Sequence, residues 1–208
     1  MSNAYSELVA RISGGEALTR DEAQSLLSTE DGQDFALIEA ASALRRQEFR
    51  NVIAIHTEDE ELAEALGTRS ISIDSYEILD ISQDIDSHEL ADRMVALGAG
   101  KPTGITVKLP QQAIPMTLMR ILSVLRLAAP DKVIHLPEGY EESLRSLASL
   151  AMHIVSAITI TDDIERWPLV NETLKALRHG GIVIAGSGSR DALAGYLAYL
   201  SELGVDLM

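Results

Sequence analysis

The sequence contains no cysteine in its 208 residues. Disulfides, thiolate metal sites, thiol nucleophiles and iron–sulfur clusters held by the chain's own thiolates are therefore excluded. No apolar run approaches the ~20 residues that span a bilayer, and the chain does not open with a basic segment followed by an apolar stretch. We expect a cytoplasmic protein with no membrane partner.

Basic residues are also few, because 17 Lys and Arg stand against 32 Asp and Glu, for a formal net charge of −15. An acidic surface repels phosphate backbones, so we expect no nucleic-acid partner. The charge favours solubility, and an acidic face that docks a basic protein partner is the alternative. Hydrophobic residues make up 46% of the chain, which is enough for a substantial core.

The first fifty residues contain only helical patterns. Thr19 and Glu22 have the spacing of a capping box, in which each side chain bonds a free backbone N–H at the start of a helix. The predicted helices are Tyr5–Ile12, one that begins at Thr19, and Asp34–Arg46. We therefore predict an N-terminal helical extension over residues 1–50 and an α/β domain over residues 51–208.

After Phe49, short apolar runs rich in β-branched residues alternate with helical patterns. The predicted strands are Val52–His56, Ser70–Asp74, Gly104–Lys108, Val133–His135, Val155–Ile160 and Ile182–Ala185. The predicted helices are Glu60–Leu66, His88–Leu97, Met116–Leu127, Glu141–Met152, Trp167–Leu177 and Asp191–Leu203. This pattern predicts an α/β fold with a mostly parallel sheet of six strands, buried on both faces. An open doubly wound sheet and an incomplete TIM-like barrel both satisfy it.

Two short polar segments favour particular local structures. Glu77–Ser87, rich in Asp and Ser, predicts a loop. Thr57 with Glu60, and Asp162 with Glu165, have the spacing of further capping boxes.

Ligand sites form at the carboxyl ends of parallel strands, and two of the five histidines, His56 and His135, fall at such ends. With Asp74, at the end of the predicted second strand, they form the candidate catalytic group. Neutral imidazoles suit metal binding or acid–base catalysis, whereas a histidine bonded to a backbone carbonyl is the structural alternative. Neither an HxH nor an HExxH spacing is present, so no metal site is assigned.

The sequence IVIAGSGSR, from Ile182 to Arg190, leads a strand through a Gly-Ser-Gly-Ser turn into a helix. Glycines let a backbone approach a ligand closely, and the amides of the turn attract an anion. The predicted residues for binding a phosphate or carboxylate are Lys108, Gly186, Ser187, Gly188, Ser189 and Arg190. The alternative is a tight turn capped by Ser187 or Ser189. The dinucleotide fingerprint is absent, because the first strand leads into His-Thr-Glu-Asp.

Two segments resemble the biotin synthase branch of the radical SAM superfamily, over about two fifths of the chain. GEALTRDEAQSLLS and DFALIEAASALRRQEFRN, within Gly15–Asn51, resemble the helical lead-in to the barrel of that branch. Met119–Asp163 resembles its late-barrel region, called the biotin and thiamin synthesis associated domain. The family's cluster-binding CxxxCxxC loop should follow the strand after Asn51, but that place reads AIHTEDEE.

The resemblance implies a shortened relative that binds a small molecule, such as an adenosyl-type ligand, in cofactor biosynthesis. Without the cysteines it holds no iron–sulfur cluster, and its cofactor is otherwise unknown. Two other functions remain open. One is a metal- or acid–base-dependent transferase or hydrolase that uses His56 and His135. The other is a non-catalytic accessory or regulatory protein.

Overall fold

The computed structural model describes residues 3–28, 32–81, 86–188 and 190–205. Parallel strands alternate with helices after Phe49, as the sequence predicts. The strands are β1 (Val52–His56), β2 (Glu77–Asp80), β3 (Gly104–Lys108), β4 (Val133–Leu136), β5 (Ala157–Thr159) and β6 (Val183–Ile184). The helices are α1 (Asn3–Ser13), α2 (Arg20–Leu27), α3 (Asp34–Phe49), α4 (Glu60–Ala65), α5 (Ser87–Ala99), α6 (Pro115–Ala128), α7 (Tyr140–Leu144), α8 (Ala148–Ala151), α9 (Trp167–His179) and α10 (Ala192–Glu202).

The strand order is β2-β3-β4-β5-β1-β6, and every pairing is parallel. From β2 to β5 each strand lies beside the next, and β1 then lies between β5 and β6. β6 has no pairing with β2 among the described residues, so the sheet is open. The predicted α/β fold with a parallel sheet of six strands is confirmed.

The two faces of the sheet differ in chemistry. Apart from the exposed Glu77 at the edge, one face carries buried apolar side chains: Ile53, Ile55, Leu79, Ile105, Val107, Ile134, Leu136, Ile158 and Ile184. The register places His56, Thr106, His135 and Thr159 together on the opposite face. His135 and Thr106 are nevertheless buried, so this face holds polar groups inside the protein. The crossovers from β2 through β6 all run in one direction, so right-handedness places their helices on one side only.

The predicted second strand, Ser70–Asp74, is also wrong. The strand is β2, which lies in the segment Glu77–Ser87 that the sequence indicates as a loop. Ser-Ile-Ser-Ile-Asp alternates as a strand does, but Ile71 makes only one ladder-like bond, from its N–H to the Ile55 carbonyl at 3.0 Å. Residues 82–85 of the predicted loop lie outside the described residues.

The predicted capping box at the start of α2 is confirmed. The Thr19 hydroxyl accepts a hydrogen bond from the Glu22 N–H at 3.3 Å, and the Glu22 carboxylate accepts one from the Thr19 N–H at 3.0 Å. α3 packs against α6, and α2 packs against α5 and α6. A buried ion pair between Asp34 and Arg120, at 2.7 Å, joins α3 to α6. The three N-terminal helices therefore share one hydrophobic core with the sheet.

The other two predicted capping boxes are wrong, because the next aspartate along the chain caps in each case. Asp59 accepts from the N–H of Glu61 at 2.7 Å and caps α4. Asp163 accepts from the N–H of Glu165 at 2.9 Å. In the described part of the chain, no helix is long and apolar enough to cross a membrane.

Candidate functional site

A cavity of about 810 Å³ lies beyond the carboxyl ends of β1 and β6. Parallel sheets place their ligands at this end of the strands. We call it the main cavity. It is lined by the end of β1, by α4, by the loop that follows α4 and by the turn that follows β6: Thr57, Asp59, Glu60, Ala63, Glu64, Gly67, Thr68, Arg69, Ser70, Ala185, Gly186 and Arg190.

Hydrogen bonds fix the loop that forms one wall of the main cavity. The Ser70 hydroxyl accepts from the Thr57 N–H at 2.9 Å and donates to the Thr57 carbonyl at 2.6 Å. The Thr68 hydroxyl donates to the carbonyl of Ala185 at 2.5 Å. The loop is thus bonded to the ends of both β1 and β6, so this wall is formed before any ligand arrives.

Two arginines, Arg69 and Arg190, line the main cavity with their side chains exposed. Neither guanidinium forms an ion pair or hydrogen bond with a residue that the structure describes. The Arg190 side chain lies across Gly67, where an added β-carbon would be 2.9 Å from the Arg190 Cδ. Gly67 also has φ +69°, which favours glycine. The glycine therefore makes room for Arg190 at the edge of the cavity.

The carboxylates of the main cavity are not equivalent. Asp59 accepts from the N–H of Leu62 at 3.0 Å, from Glu61, and from the Tyr199 hydroxyl at 2.9 Å. These bonds, chiefly the one from Leu62, lower the pKa of Asp59. Burial and the hydrogen bond to Asp59 raise the pKa of Tyr199 to about 12. Asp59 is thus a structural anion, whereas Glu60 and Glu64, one turn apart on α4, remain to accept hydrogen bonds from a ligand.

His56 and His135 converge on the polar face of the sheet, with ring centroids 6.0 Å apart and the rings edge to face. His135 is fully buried, and its Nδ1 and Nε2 lie 3.1 Å and 2.9 Å from the hydroxyls of Thr106 and Thr159. Burial, and secondarily the charge of His56, lower the pKa of His135 to about 4. His135 is therefore neutral at neutral pH, and both of its ring nitrogens already have partners.

His56 has a different environment. Its Nδ1 lies 2.8 Å from the Ile71 carbonyl, which can only accept, so Nδ1 carries the proton. In the neutral ring Nε2 then carries a lone pair, and it has no hydrogen-bond partner among the described residues. The Tyr76 ring lies 6.3 Å from that of His135. Of the two histidines, His56 is the one with a free nitrogen for acid–base chemistry.

The third predicted catalytic residue, Asp74, is not at a strand end. It lies in the turn before β2 and accepts a hydrogen bond from the Ser72 hydroxyl at 3.1 Å. Its predicted position depended on the wrong second strand. Among the described residues, no three His, Cys, Asp or Glu side chains come together to hold a metal ion.

The predicted anion-binding residues are dispersed. Gly186 and Arg190 line the main cavity. Lys108 borders a separate cavity of about 360 Å³. The buried Ser187 hydroxyl donates to the Ile184 carbonyl at 2.8 Å, and Gly188 does not line the main cavity. Ser189 lies outside the described residues.

The helix that follows the Gly-Ser turn is α10, which begins directly after Asp191. Asp191 caps α10, with its carboxylate accepting from the Ala194 N–H at 3.3 Å. It also pairs with Arg178 at 3.2 Å. The proposed caps Ser187 and Ser189 are therefore not needed for this helix. Sequence reasoning missed Arg69, because the residues directly after it were assigned to the strand Ser70–Asp74. Gly67, shortly after α4, was the available signal for a loop.

The sequence matches no protein-family model. Over 88 residues, or 40% of the chain, it is 35% identical to a biotin synthase from Kocuria rhizophila. Over 94 residues, or 45% of the chain, it is 29% identical to a biotin synthase from a Nocardioides species. Over these stretches the chain is similar to biotin synthases, as the sequence predicts. The matches span 19% and 25% of those two enzymes, so the chain corresponds to about a quarter of their length or less.

The fold agrees with this relationship. The crystal structure of HydG, a maturase of the [FeFe]-hydrogenase, aligns with 97% of this chain and 81% of its own length, with a TM-score of 0.61 and 10% sequence identity. This likeness shows the fold, and the two sequence matches confirm the resemblance to biotin synthases.

Radical SAM proteins hold an iron–sulfur cluster through cysteines, and the residues of this chain do not fit one. The segment after β1 reads Thr57-Glu58-Asp59, and Asp59 is already engaged as a helix cap. None of the 208 residues is a cysteine.

Proposed function

We propose that this chain is a small-molecule-binding protein of cofactor biosynthesis that binds its ligand in the main cavity without a cluster of its own. The relationship to biotin synthases supports the area of metabolism. The observation that carries the proposal is the pair of unpaired arginines, Arg69 and Arg190, on one cavity. In a chain with formal net charge −15, two arginines left without carboxylate partners indicate a site kept for an external anion.

The ligand that fits the main cavity has two kinds of polar group. A carboxylate or phosphate matches the planar donor forks of Arg69 and Arg190. An amine or hydroxyl matches the carboxylates of Glu60 and Glu64 on α4, which line the same cavity. We further propose a cytoplasmic location and a small-molecule partner rather than nucleic acid, in keeping with the acidic surface.

The test is calorimetric titration with carboxylate- and phosphate-bearing cofactor precursors, including S-adenosylmethionine. We expect Arg190→Ala and Arg69→Ala each to weaken binding at least about tenfold, because each removes charge-assisted hydrogen bonds. Both side chains are exposed, so thermal stability should hardly change. Arg20→Ala is the matched control. It removes one positive charge from α2, where Arg20 pairs with Asp92 of α5. Equal affinity for wild type and Arg190→Ala would refute the proposal.

An acid–base transferase or hydrolase is the second candidate, because His56 has its Nδ1 fixed and its Nε2 free. Removal of that nitrogen should lower turnover at least about a hundredfold. We expect His56→Gln to do so in assays with chromogenic carboxylic and phosphoric esters, whereas the exposed His88→Gln should retain activity. Turnover that survives in His56→Gln, or its absence from the wild type with every ester, counts against this candidate.

A further inference from the structure

A second cavity, of about 750 Å³, lies between α9 and the chain from α7 to His153. We call it the outer groove. It shares no lining residue with the main cavity. One wall is the face of α9 that carries Leu169, Glu172 and Ala176, which are spaced three to four residues apart. The opposite wall includes Arg145.

The carboxylates of the outer groove already have partners. Glu172 pairs with Lys175 at 2.9 Å, and Glu141 pairs with Arg166 at 3.3 Å. The Arg145 guanidinium, by contrast, forms no ion pair or hydrogen bond with any residue in the described part of the chain. The formal charges of the lining sum to zero, because Arg145 and Lys175 balance Glu141 and Glu172. Among these four described side chains, Arg145 is the one without a partner.

The other polar groups of the outer groove can act as hydrogen-bond donors. Ser146, Ser149, His153 and His179 line it, and none of their side chains has a hydrogen bond to a residue that the structure describes. His153 packs on Gly180, where an added β-carbon would be 3.2 Å from the His153 Nε2. Hydroxyls and imidazole N–H groups beside one arginine are the donors that surround bound anions in proteins.

The backbone of Arg145 is strained. It has φ +51° and ψ −128°, a conformation suited to glycine, at the point where α7 ends. Its backbone N–H donates to the Glu141 carbonyl, but its guanidinium has no hydrogen-bond or ion-pair partner among the described residues. A ligand contact through the guanidinium gives a physical reason for an arginine here.

We propose that the outer groove is a second binding site, in which Arg145 holds the phosphate or carboxylate group of a small molecule. The guanidinium fork binds two anion oxygens, and the serine hydroxyls and histidine N–H groups bind the remainder. This site does not depend on the main cavity, since the two have separate walls and separate arginines.

The test uses inorganic phosphate and acetate as probes, titrated into the full chain at constant ionic strength. NMR follows the arginine Nε–H and histidine ring signals. We expect saturable shifts at Arg145, His153 and His179 with at least one probe, and binding weakened at least about tenfold in Arg145→Gln. Arg145→Gly should also lose binding while gaining thermal stability, because it relieves the strain. Lys101→Gln, an exposed charge outside both cavities, should bind as the wild type does.

The two probes assign the anion. A response to phosphate alone identifies a phosphate site, and a response to acetate alone identifies a carboxylate site. Either supports the proposal. Shifts of equal affinity in wild type and Arg145→Gln, shifts that rise without saturation at all exposed cations, or no shift with either probe would overturn it. Arg190→Ala, which removes an arginine from the main cavity and none from the outer groove, should leave these shifts unchanged.

Discussion

Replacement of Arg126 with methionine is expected to lower the free energy of unfolding by about 3–5 kcal/mol. Arg126 lies within α6 and is 0% exposed. Its guanidinium donates to four backbone carbonyls and one hydroxyl at 2.8–3.3 Å: those of Ala129, Pro130, Lys132, Ile154 and Ser156. It also stacks 4.9 Å from the centroid of the Phe49 ring.

The reason for so large an effect is that methionine fills the space but donates nothing. Four carbonyls at the amino-terminal ends of β4 and β5 would stay buried without the guanidinium donors. Leaving buried acceptors without these hydrogen bonds costs more free energy than the bonds contribute to stability when they are present. Burial, and secondarily the charge of Arg45, lower the pKa of Arg126 to about 9, while the carboxylates of Asp131 and Glu48 favour its charged form.

Urea denaturation followed by circular dichroism measures the change. Arg178→Met is the matched control, since its side chain is 61% exposed and the change should stay within about 0.5 kcal/mol. Arg126→Lys, which keeps a charge but not the planar fork, should lie between the two. If Arg126→Met unfolds at the same urea concentration as Arg178→Met, the carbonyl cluster does not stabilise the fold.

Acidification should destabilise the wild type by about 3 kcal/mol between pH 6.5 and pH 4 through His135 alone. The folded-state pKa of His135 is lowered to about 4, against 6.5 for an ordinary histidine. Between these values the unfolded chain binds a proton that the folded chain does not, so stability falls as pH falls. Below about pH 4 both states are protonated, and this contribution no longer changes.

Urea denaturation at half-unit pH steps tests this, with the slope rather than the absolute stability as the readout. His135→Gln keeps a donor and an acceptor for Thr106 and Thr159 but cannot titrate, so its curve should be flatter in this window. The exposed His88→Gln should retain the wild-type slope. Parallel curves for wild type and His135→Gln would show that His135 is not held neutral by the fold.

The sequence predicted five of the six strands at or near their positions and misplaced β2. β1 and β3 have the predicted bounds, because β-branched runs there are bordered by turn or cap residues. β2 was misplaced because Ser70–Asp74 alternates like a strand, whereas pairing with β3 selects Glu77–Asp80. A local pattern does not contain that information, since the partner strand lies beyond an intervening helix.

The candidate site, like the sheet, was predicted only in part. Strand-end reasoning identified His56 and His135, which the sheet register brings together. It did not show that His135 has both ring nitrogens occupied, because the two threonines come from neighbouring strands. Arg126 was missed for another reason. A charged residue in an amphipathic helix is normally exposed, and only the carbonyls gathered at the end of the sheet make its burial favourable.

The position of β1 between β5 and β6 has a consequence for how the protein is made. Ala54 pairs with Ala157, so β1 meets its first neighbour only after roughly a hundred further residues have been synthesised. Until then both edges of a β-branched strand are open on the nascent chain, and each can pair with another chain. The ladder of β2, β3 and β4 can assemble earlier from segments close in sequence. The order of biosynthesis therefore differs from the spatial order of the sheet, and chaperone demand should be greatest while β1 waits for β5.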